Sequence, residues 1–264
     1  MVSRLLRILL GLATAIVAGC GTVPDRAPGL TAPYAERRVF AVAPLLNESG
    51  SAAADTLRLA DRLTEQLTLT RRVDTLPVNR VLAAMEAAGI RRVASREQAL
   101  RLTRTLGIDA LVVGTVTSYD PYDPPRLGLN VDLYFGDTYA AEVFDIRRLS
   151  RSATDTTQLR AATTGAQPVS AFSALWDASH PVVQDRLHAF GVGRGTDYGA
   201  TATEARLYRI SMDLYSSFVA YEACRRLMDL EFLRLGPHAV PRRGDDAPRG
   251  PVEAAFKRIA TRLP

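Results

Sequence analysis

The side chains that could do chemistry in this chain are few. Of its 33 basic residues all but one are arginine, and the single lysine is Lys257. A phosphate loop of the Walker type needs a Gly-Lys-Ser/Thr step, which does not occur here. A Schiff-base lysine would have to be Lys257. The three histidines are His180, His188 and His238. Two of them belong to a repeated Asp-x-x-His spacing, Asp177 with His180 and Asp185 with His188. The second pair falls at i,i+3 on one helix face, a spacing that a metal could use. However, His180 precedes Pro181 and reads as a helix cap, so capping and surface pairing account for both pairs. The Gly191-Val-Gly-Arg-Gly195 run has the composition of an anion-binding loop, but it follows no strand and has no phosphate-binding lysine behind it. It reads as a turn. There is no Gly-x-Ser-x-Gly nucleophile elbow. The expectation is therefore a non-enzymatic protein with no catalytic residue, no metal and no cofactor.

The spacing that does carry chemistry is at the N-terminus. Arg4 and Arg7 precede Leu9 to Ala18, a run that is apolar apart from Thr14. A membrane-spanning helix needs about 20 such residues, so this shorter run reads as the core of a signal peptide. It ends in Val17-Ala18-Gly19-Cys20, which closely matches the bacterial lipobox. The match implies cleavage before Cys20 and acylation, palmitate included, of its thiol and of the new amine. Removing the first 19 of 264 residues leaves 245, and losing Arg4 and Arg7 lowers the net charge from +5 to +3. The next residue is Gly21 rather than Asp, a pattern that implies export to the outer membrane with the body on its periplasmic face. Buried acyl carbons contribute roughly 0.8 kcal/mol per CH₂. Gly21 to Ala35, with Pro24, Pro28, Gly29 and Pro33, reads as an extended tether. With Cys20 lipidated, Cys224 is the only thiol left, so no internal disulfide can form. It reads as a buried small apolar residue, with an intermolecular disulfide as the alternative.

A third set of residues points to contact rather than catalysis. Asp120-Pro-Tyr-Asp-Pro-Pro-Arg126 is a stiff proline-rich turn. With the preceding tyrosine it presents Tyr119, Asp120, Tyr122, Asp123 and Arg126 as candidate partner-contact residues, because a rigid loop loses little entropy on docking. The alternative is a plain connector between strands. Nucleic acid is not an expected partner: the arginines alternate with acids, and +3 is small for phosphate tracking.

These groups must be positioned by a body whose patterning is legible in parts. Val39 to Leu46 is an almost continuous apolar run, as in a strand covered on both faces. Leu57, Ala60, Leu63 and Leu67 fall at helical spacing. Val73 to Leu76 reads as a short strand that ends at Pro77. A second helix stripe follows in Val78, Val81, Leu82 and Met85, with Gly89 as its stop. Ser95 to Gln98 forms a capping box for a third helix, which Gly107 ends. Ala110 to Tyr119 reads as a buried strand. Leu127, Leu129, Val131 and Leu133 alternate as in a half-buried antiparallel strand. Ala141 to Ile146 reads as a strand or a connector, and Ser150 to Pro168 as a loop. Phe172 to Trp176 is ambiguous. Pro181 reads as a first helical residue, and Glu204 to Leu235 as a long helical stretch with room for a break near Ser216 and Ser217. Gly236 to Pro251 is a proline-rich linker, and Val252, Phe256, Ile259 and Leu263 mark a short amphipathic helix.

Residues 39 to 119 thus combine VFAVAPLLNESG, a helix containing ADRLTEQL, VDTLPVNRVLAAMEAAG, and a helix running into LGIDALVVGTV. This resembles the periplasmic α/β domain shared by the curli-secretion lipoproteins, the N-terminal domain of the Tol–Pal propeller protein and the lipoprotein activators of penicillin-binding proteins. The resemblance implies a mixed-sheet, anticodon-binding-like α/β sandwich followed by a mainly helical extension. The organisation expected is a signal peptide (1–19), a tether (20–36), the α/β domain (37–148), a loop plus helical extension (149–235), a linker (236–251) and the short C-terminal amphipathic helix (252–264). The function expected is that of an outer-membrane-anchored protein-binding or envelope-assembly module. Its partners would be the membrane, through the N-terminal lipid, and another envelope protein; the sequence leaves a homo-oligomer open. The alternative is a ring-forming secretion component resembling the curli export channel.

Overall fold

The computed structural model describes residues 29–136, 168–192 and 202–240. The signal segment, Cys20, the tether up to residue 28, residues 141–146, nearly all of the 150–168 loop, Gly193 to Gly195, Lys257 and the 252–264 helix lie outside the described residues.

The strands are β1 (Arg38–Val42), β2 (Leu46–Asn47), β3 (Val73–Leu76), β4 (Ala110–Asp120), β5 (Arg126–Phe135) and β6 (Ser170–Asp177). The helices are α1 (Thr56–Thr68), α2 (Val78–Ala87), α3 (Arg96–Leu106), α4 (Pro181–Val192), α5 (Ala202–Ile210) and α6 (Met212–Leu235). The sheet runs β3-β1-β4-β5-β6, with β2 pairing β4 beyond the end of β1. β1 is parallel to β3 and β4, whereas β5 is antiparallel to both β4 and β6. The molecule is thus a mixed-sheet α/β sandwich.

Local chemistry explains the elements. The apolar run at Val39 to Leu46 becomes two strand pieces rather than one, because Pro44 has no N–H for the ladder. The Ala43 N–H still reaches the Val112 carbonyl at 2.9 Å, and pairing resumes at Leu46 opposite Thr115. Asp55 caps α1 by accepting from the Arg58 N–H at 3.0 Å. Ser95 caps α3 through the Gln98 N–H, while the Gln98 side chain reaches back to the Ala94 N–H at 2.8 Å, one residue earlier than a standard capping box. Gly107 ends α3 at φ +64°, a left-handed conformation that favours glycine.

Two apolar layers result. On one face of the sheet, α1, α4 and α6 cover β4, β5 and β6 through Leu63, Leu67, Phe218, Leu227 and the inward residues of β5. On the other, α2 and α3 cover β1 and the start of β4 through Val81, Met85, Leu102 and Leu111. All four alternating residues of β5, Leu127, Leu129, Val131 and Leu133, are buried, and β5 is paired on both sides. The most regular alternation in the sequence therefore serves the core of this sandwich. Among the described residues no helix is long and apolar enough to cross a membrane.

The second half differs from its sequence reading in two places. The ambiguous Phe172 to Trp176 segment lies inside β6, which adds a strand to the sheet. Its Phe172, Ala174 and Trp176 face the helical layer, but Ser and Ala fill half of its eight positions and blur the period. The break in the long helical stretch falls at Ser211, five residues before the serine pair. Ser211 has extended backbone and caps α6, whereas the Ser216 and Ser217 hydroxyls donate to the carbonyls of Met212 and Asp213 and so stay within the helix. Helices α4 to α6 form the expected helical extension, and α6 packs on the same sheet as α1.

Strand direction gives the molecule two poles. Arg38, Val73, Ala110, Phe135 and Ser170 lie at one, here called the base; Asp120, Arg126 and Asp177 lie at the other, the tip. Ten steps along β4 at about 3.4 Å each separate them by about 34 Å.

Candidate functional site

The proline-rich segment forms the β4–β5 turn and so occupies the tip. Each predicted contact residue has a distinct setting there. Tyr122 is 80% exposed. Asp120 accepts the Tyr122 N–H at 3.2 Å, which shapes the turn. Asp123 lies 3.6 Å from Nε of Arg209, at the end of α5. Arg126 places Nε 3.2 Å from Asp177, at the end of β6. The turn is thereby braced against two other elements. These exposed pairs are each worth about 1 kcal/mol or less, so their effect is to limit the positions the turn can take.

Tyr119 is half-buried in a shallow cleft of about 220 Å³ between the first turns of α1 and α6, lined also by Ala53, Asp55, Arg58, Met212 and Asp213. Burial, then the charge of Asp55, raises its hydroxyl pKa, against the opposing effect of Arg58. Asp213 draws the two helix starts together: its carboxylate accepts from Arg62 Nη2 at 2.8 Å and lies 3.6 Å from Arg58. Exposed apolar side chains surround this pole. Val182 begins α4, just after the end of β6, while Leu207 and Ile210 share a face of α5 beside Arg209. The sequence did not mark Arg209, Asp213, Val182 or Ile210 as contact residues. Arg209 meets Asp123, and Asp213 joins the cleft of Tyr119, only after long-range folding, and no local spacing announces them.

Asp177 of the first Asp-x-x-His pair is placed by ordinary turn chemistry, whereas Asp185 and His188 lie within α4. Asp177 accepts from both the Ser179 N–H and hydroxyl, at 2.8 and 2.6 Å. Those hydrogen bonds, then Arg126 and His180, hold its carboxyl below the usual range. His180 sits just before Pro181, the first residue of α4. Gly191 and Val192 are the last residues of α4, so the glycine run begins inside a helix. Cys224 is buried, its thiol donating weakly to the Leu63 carbonyl at 3.8 Å, and burial pushes its pKa up.

The base carries a second cluster that the sequence did not suggest. The described end of the tether is strapped to the body there. Ala32 N–H donates to the Arg71 carbonyl at 3.1 Å, and Arg71 N–H to the Leu30 carbonyl at 2.8 Å. Arg72 reaches the Tyr34 carbonyl at 2.7 Å. Ala32 and Tyr34 are buried, with the Tyr34 ring against Phe40 and Phe135. The Tyr34 hydroxyl donates at 3.0 Å to Glu231, a fully buried carboxylate that also accepts from Ser170 and from Arg234. Arg234 in turn lies over the Phe135 ring. One acidic group thus links the tether, the first residue of β6 and the last turns of α6.

No family model matches the chain, and no curated protein matches it. Among solved structures it is similar to the C-terminal domain of LpoB from Salmonella enterica, at 13% identity over 56% of this chain and 86% of that one, with a TM-score of 0.34. It is similar to lipoprotein GNA1162 from Neisseria meningitidis at 18% identity, 53% and 80% coverage and a TM-score of 0.32. It is also similar to the hypothetical protein CT253 from Chlamydia trachomatis at 10% identity, 74% and 98% coverage and a TM-score of 0.36. The mixed α/β sandwich described above is the fold that the sequence resemblance implies.

Proposed function

We propose that this chain is an envelope lipoprotein, acylated on Cys20 and held on the periplasmic face of the outer membrane, that binds another envelope protein through its tip. The observation that carries the reading is the polarity of the molecule. The strap at Leu30 to Tyr34 enters at the base, while the braced β4–β5 turn lies about 34 Å away along β4. A lipid on Cys20 would leave about ten residues of free tether before the strap, a reach of at most about 35 Å. Lipid and strap together would attach the protein by its base, the pole opposite the turn that carries Tyr122. Confinement of both molecules to one compartment raises their effective concentration, so a modest surface suffices. Binding, rather than catalysis, is the role: Asp123 and Arg126 pair with Arg209 and Asp177, and Tyr122, Val182, Leu207 and Ile210 stand exposed beside them.

The test is to purify the lipid-attached protein with its bound partner from membranes. Tyr122→Ala combined with Ile210→Ser should reduce the recovered complex at least about tenfold, because anchors of this kind dominate interface energies. Circular dichroism should be unchanged, since both side chains are exposed. Full recovery of the complex would move the contact surface elsewhere. Mass analysis of the Cys20 peptide tests the anchor separately.

A further inference from the structure

The charge of the chain is unevenly spread. Between Val78 and Leu106, helices α2 and α3 and their connector hold six arginines and two glutamates, a net +4 out of +5 for the whole chain. Arg80, Arg91, Arg92 and Arg101 are exposed there and hold no ion pair among the described residues. On the opposite layer Arg58, Arg62, Arg186, Arg225 and Arg234 each pair with an acid. The exposed cations of α2 and α3 thus hold nothing in the fold. They also lie toward the strap's pole. Gly107 ends α3, and the Asp109 N–H donates to the Val39 carbonyl at 2.9 Å, so the helix finishes at the base. Burial and then the charge of Asp132 raise the pKa of the Tyr134 hydroxyl, and Arg96 at the start of α3 opposes them, so that start too is near the base. The composition separates two kinds of partner. Protein interfaces concentrate their energy in aromatic and arginine anchors, but Val78 to Leu106 contains no Phe, Tyr or Trp, and Leu82, 39% accessible, is its one exposed large apolar side chain. A fluid layer of anionic headgroups needs no fitted anchor, only unpaired cations within a Debye length.

We propose that the exposed arginines of α2, α3 and their connector rest on anionic phospholipid headgroups of the membrane that holds Cys20. This goes beyond partner binding at the tip, and it rests on the base being the membrane-facing pole, as the Cys20 anchor requires. A single flexible tether leaves the body free to turn. A cationic side drawn to the headgroups would fix which layer faces the lipid.

The experiment uses the full, lipid-attached protein in vesicles whose headgroups carry a fluorescence acceptor. A donor dye is placed at Ala94→Cys, in the α2–α3 connector, or at Leu69→Cys, at the base on the opposite layer. Both positions are exposed, and Cys224 is buried. Energy transfer from position 94 should rise as phosphatidylglycerol replaces phosphatidylcholine, and transfer from position 69 should not. Added salt should reverse the rise. Arg91→Gln with Arg92→Gln and Arg101→Gln should abolish it, with circular dichroism unchanged because all three side chains are exposed. Transfer from position 94 that ignores the phosphatidylglycerol fraction, in protein that floats with the vesicles, would overturn the proposal while leaving the lipid anchor intact. A triple variant that keeps the rise but loses its envelope partner would assign these arginines to an acidic protein surface instead. An unmodified Cys20 peptide, in protein that still binds phosphatidylglycerol vesicles in a salt-sensitive way, would remove the lipid anchor and keep the arginine contact.

Discussion

Glu231 has no exposed surface, yet it holds an ion pair with Arg234 and accepts from Tyr34 and Ser170. Removing the carboxylate takes this partner from the part-buried Arg234 and from the Tyr34 and Ser170 hydroxyls at once. Glu231→Ala should therefore cost about 3–5 kcal/mol in urea unfolding, and Tyr34→Phe about 1.5–3 kcal/mol as a bond to a charged group. A loss under 1 kcal/mol for Glu231→Ala would mean that the strap is not held as described. Buried protons make a second residue-scale prediction. Burial raises the pKa of Cys224 from an ordinary 9.0 and that of Tyr215 from 10.0. Both groups bind their protons more tightly folded than unfolded, so their stabilisation is complete below about pH 9 and declines as pH rises further. Urea midpoints should fall above pH 9, and Cys224→Ala should flatten the first part of that fall. Stability that is level from pH 8 to 11 would contradict the burial of these groups. Asp177 works in the opposite direction: its lowered pKa contributes stability above the usual carboxylate range that is lost as pH falls below it.

Elements with a strong local signal were legible in the sequence. Leu57 to Leu67 repeat at helical spacing, Ser95 and Gln98 mark a start, and Gly107 marks a stop, so α1 and α3 appear nearly residue for residue. Where the signal is long-range, it was not legible. β6 gains its strand conformation by pairing with the second edge of β5, and the break at Ser211 rather than Ser216 starts a new helix whose first turn carries Asp213 to Arg62. Likewise the contact turn was visible as a proline cluster, whereas its pairing with Arg209 and Asp177 and the cleft beside Tyr119 were not. At this scale Gly128 offers a direct test. Its neighbour strand bulges between Val116 and Ser118, and a Cβ on Gly128 would stand 2.6 Å from Thr117 Oγ1 and 3.2 Å from the Ser118 nitrogen. Gly128→Ala should destabilise by about 1–3 kcal/mol, because backbone as well as side chain must shift. A neutral effect in urea unfolding would show that the bulge yields freely.

At the scale of the whole molecule, one polarity organises the account. Parallel strands begin at the base, where the strap enters, and the longest hairpin carries its turn to the tip. In the proposed reading, membrane attachment and partner contact would thereby be separated by the length of the sheet. The bracing of the turn by Asp123–Arg209 and Arg126–Asp177 links residues on β5, β6 and α5 to that geometry. The most direct test is site-specific photo-cross-linking in intact cells, with the reactive side chain placed at Tyr122 on the tip or at Asp74 on the β3 edge. The account predicts a discrete adduct with a different envelope protein from position 122 and none from position 74. Adducts from position 122 only with further copies of this chain, or a partner captured only from position 74, would contradict it.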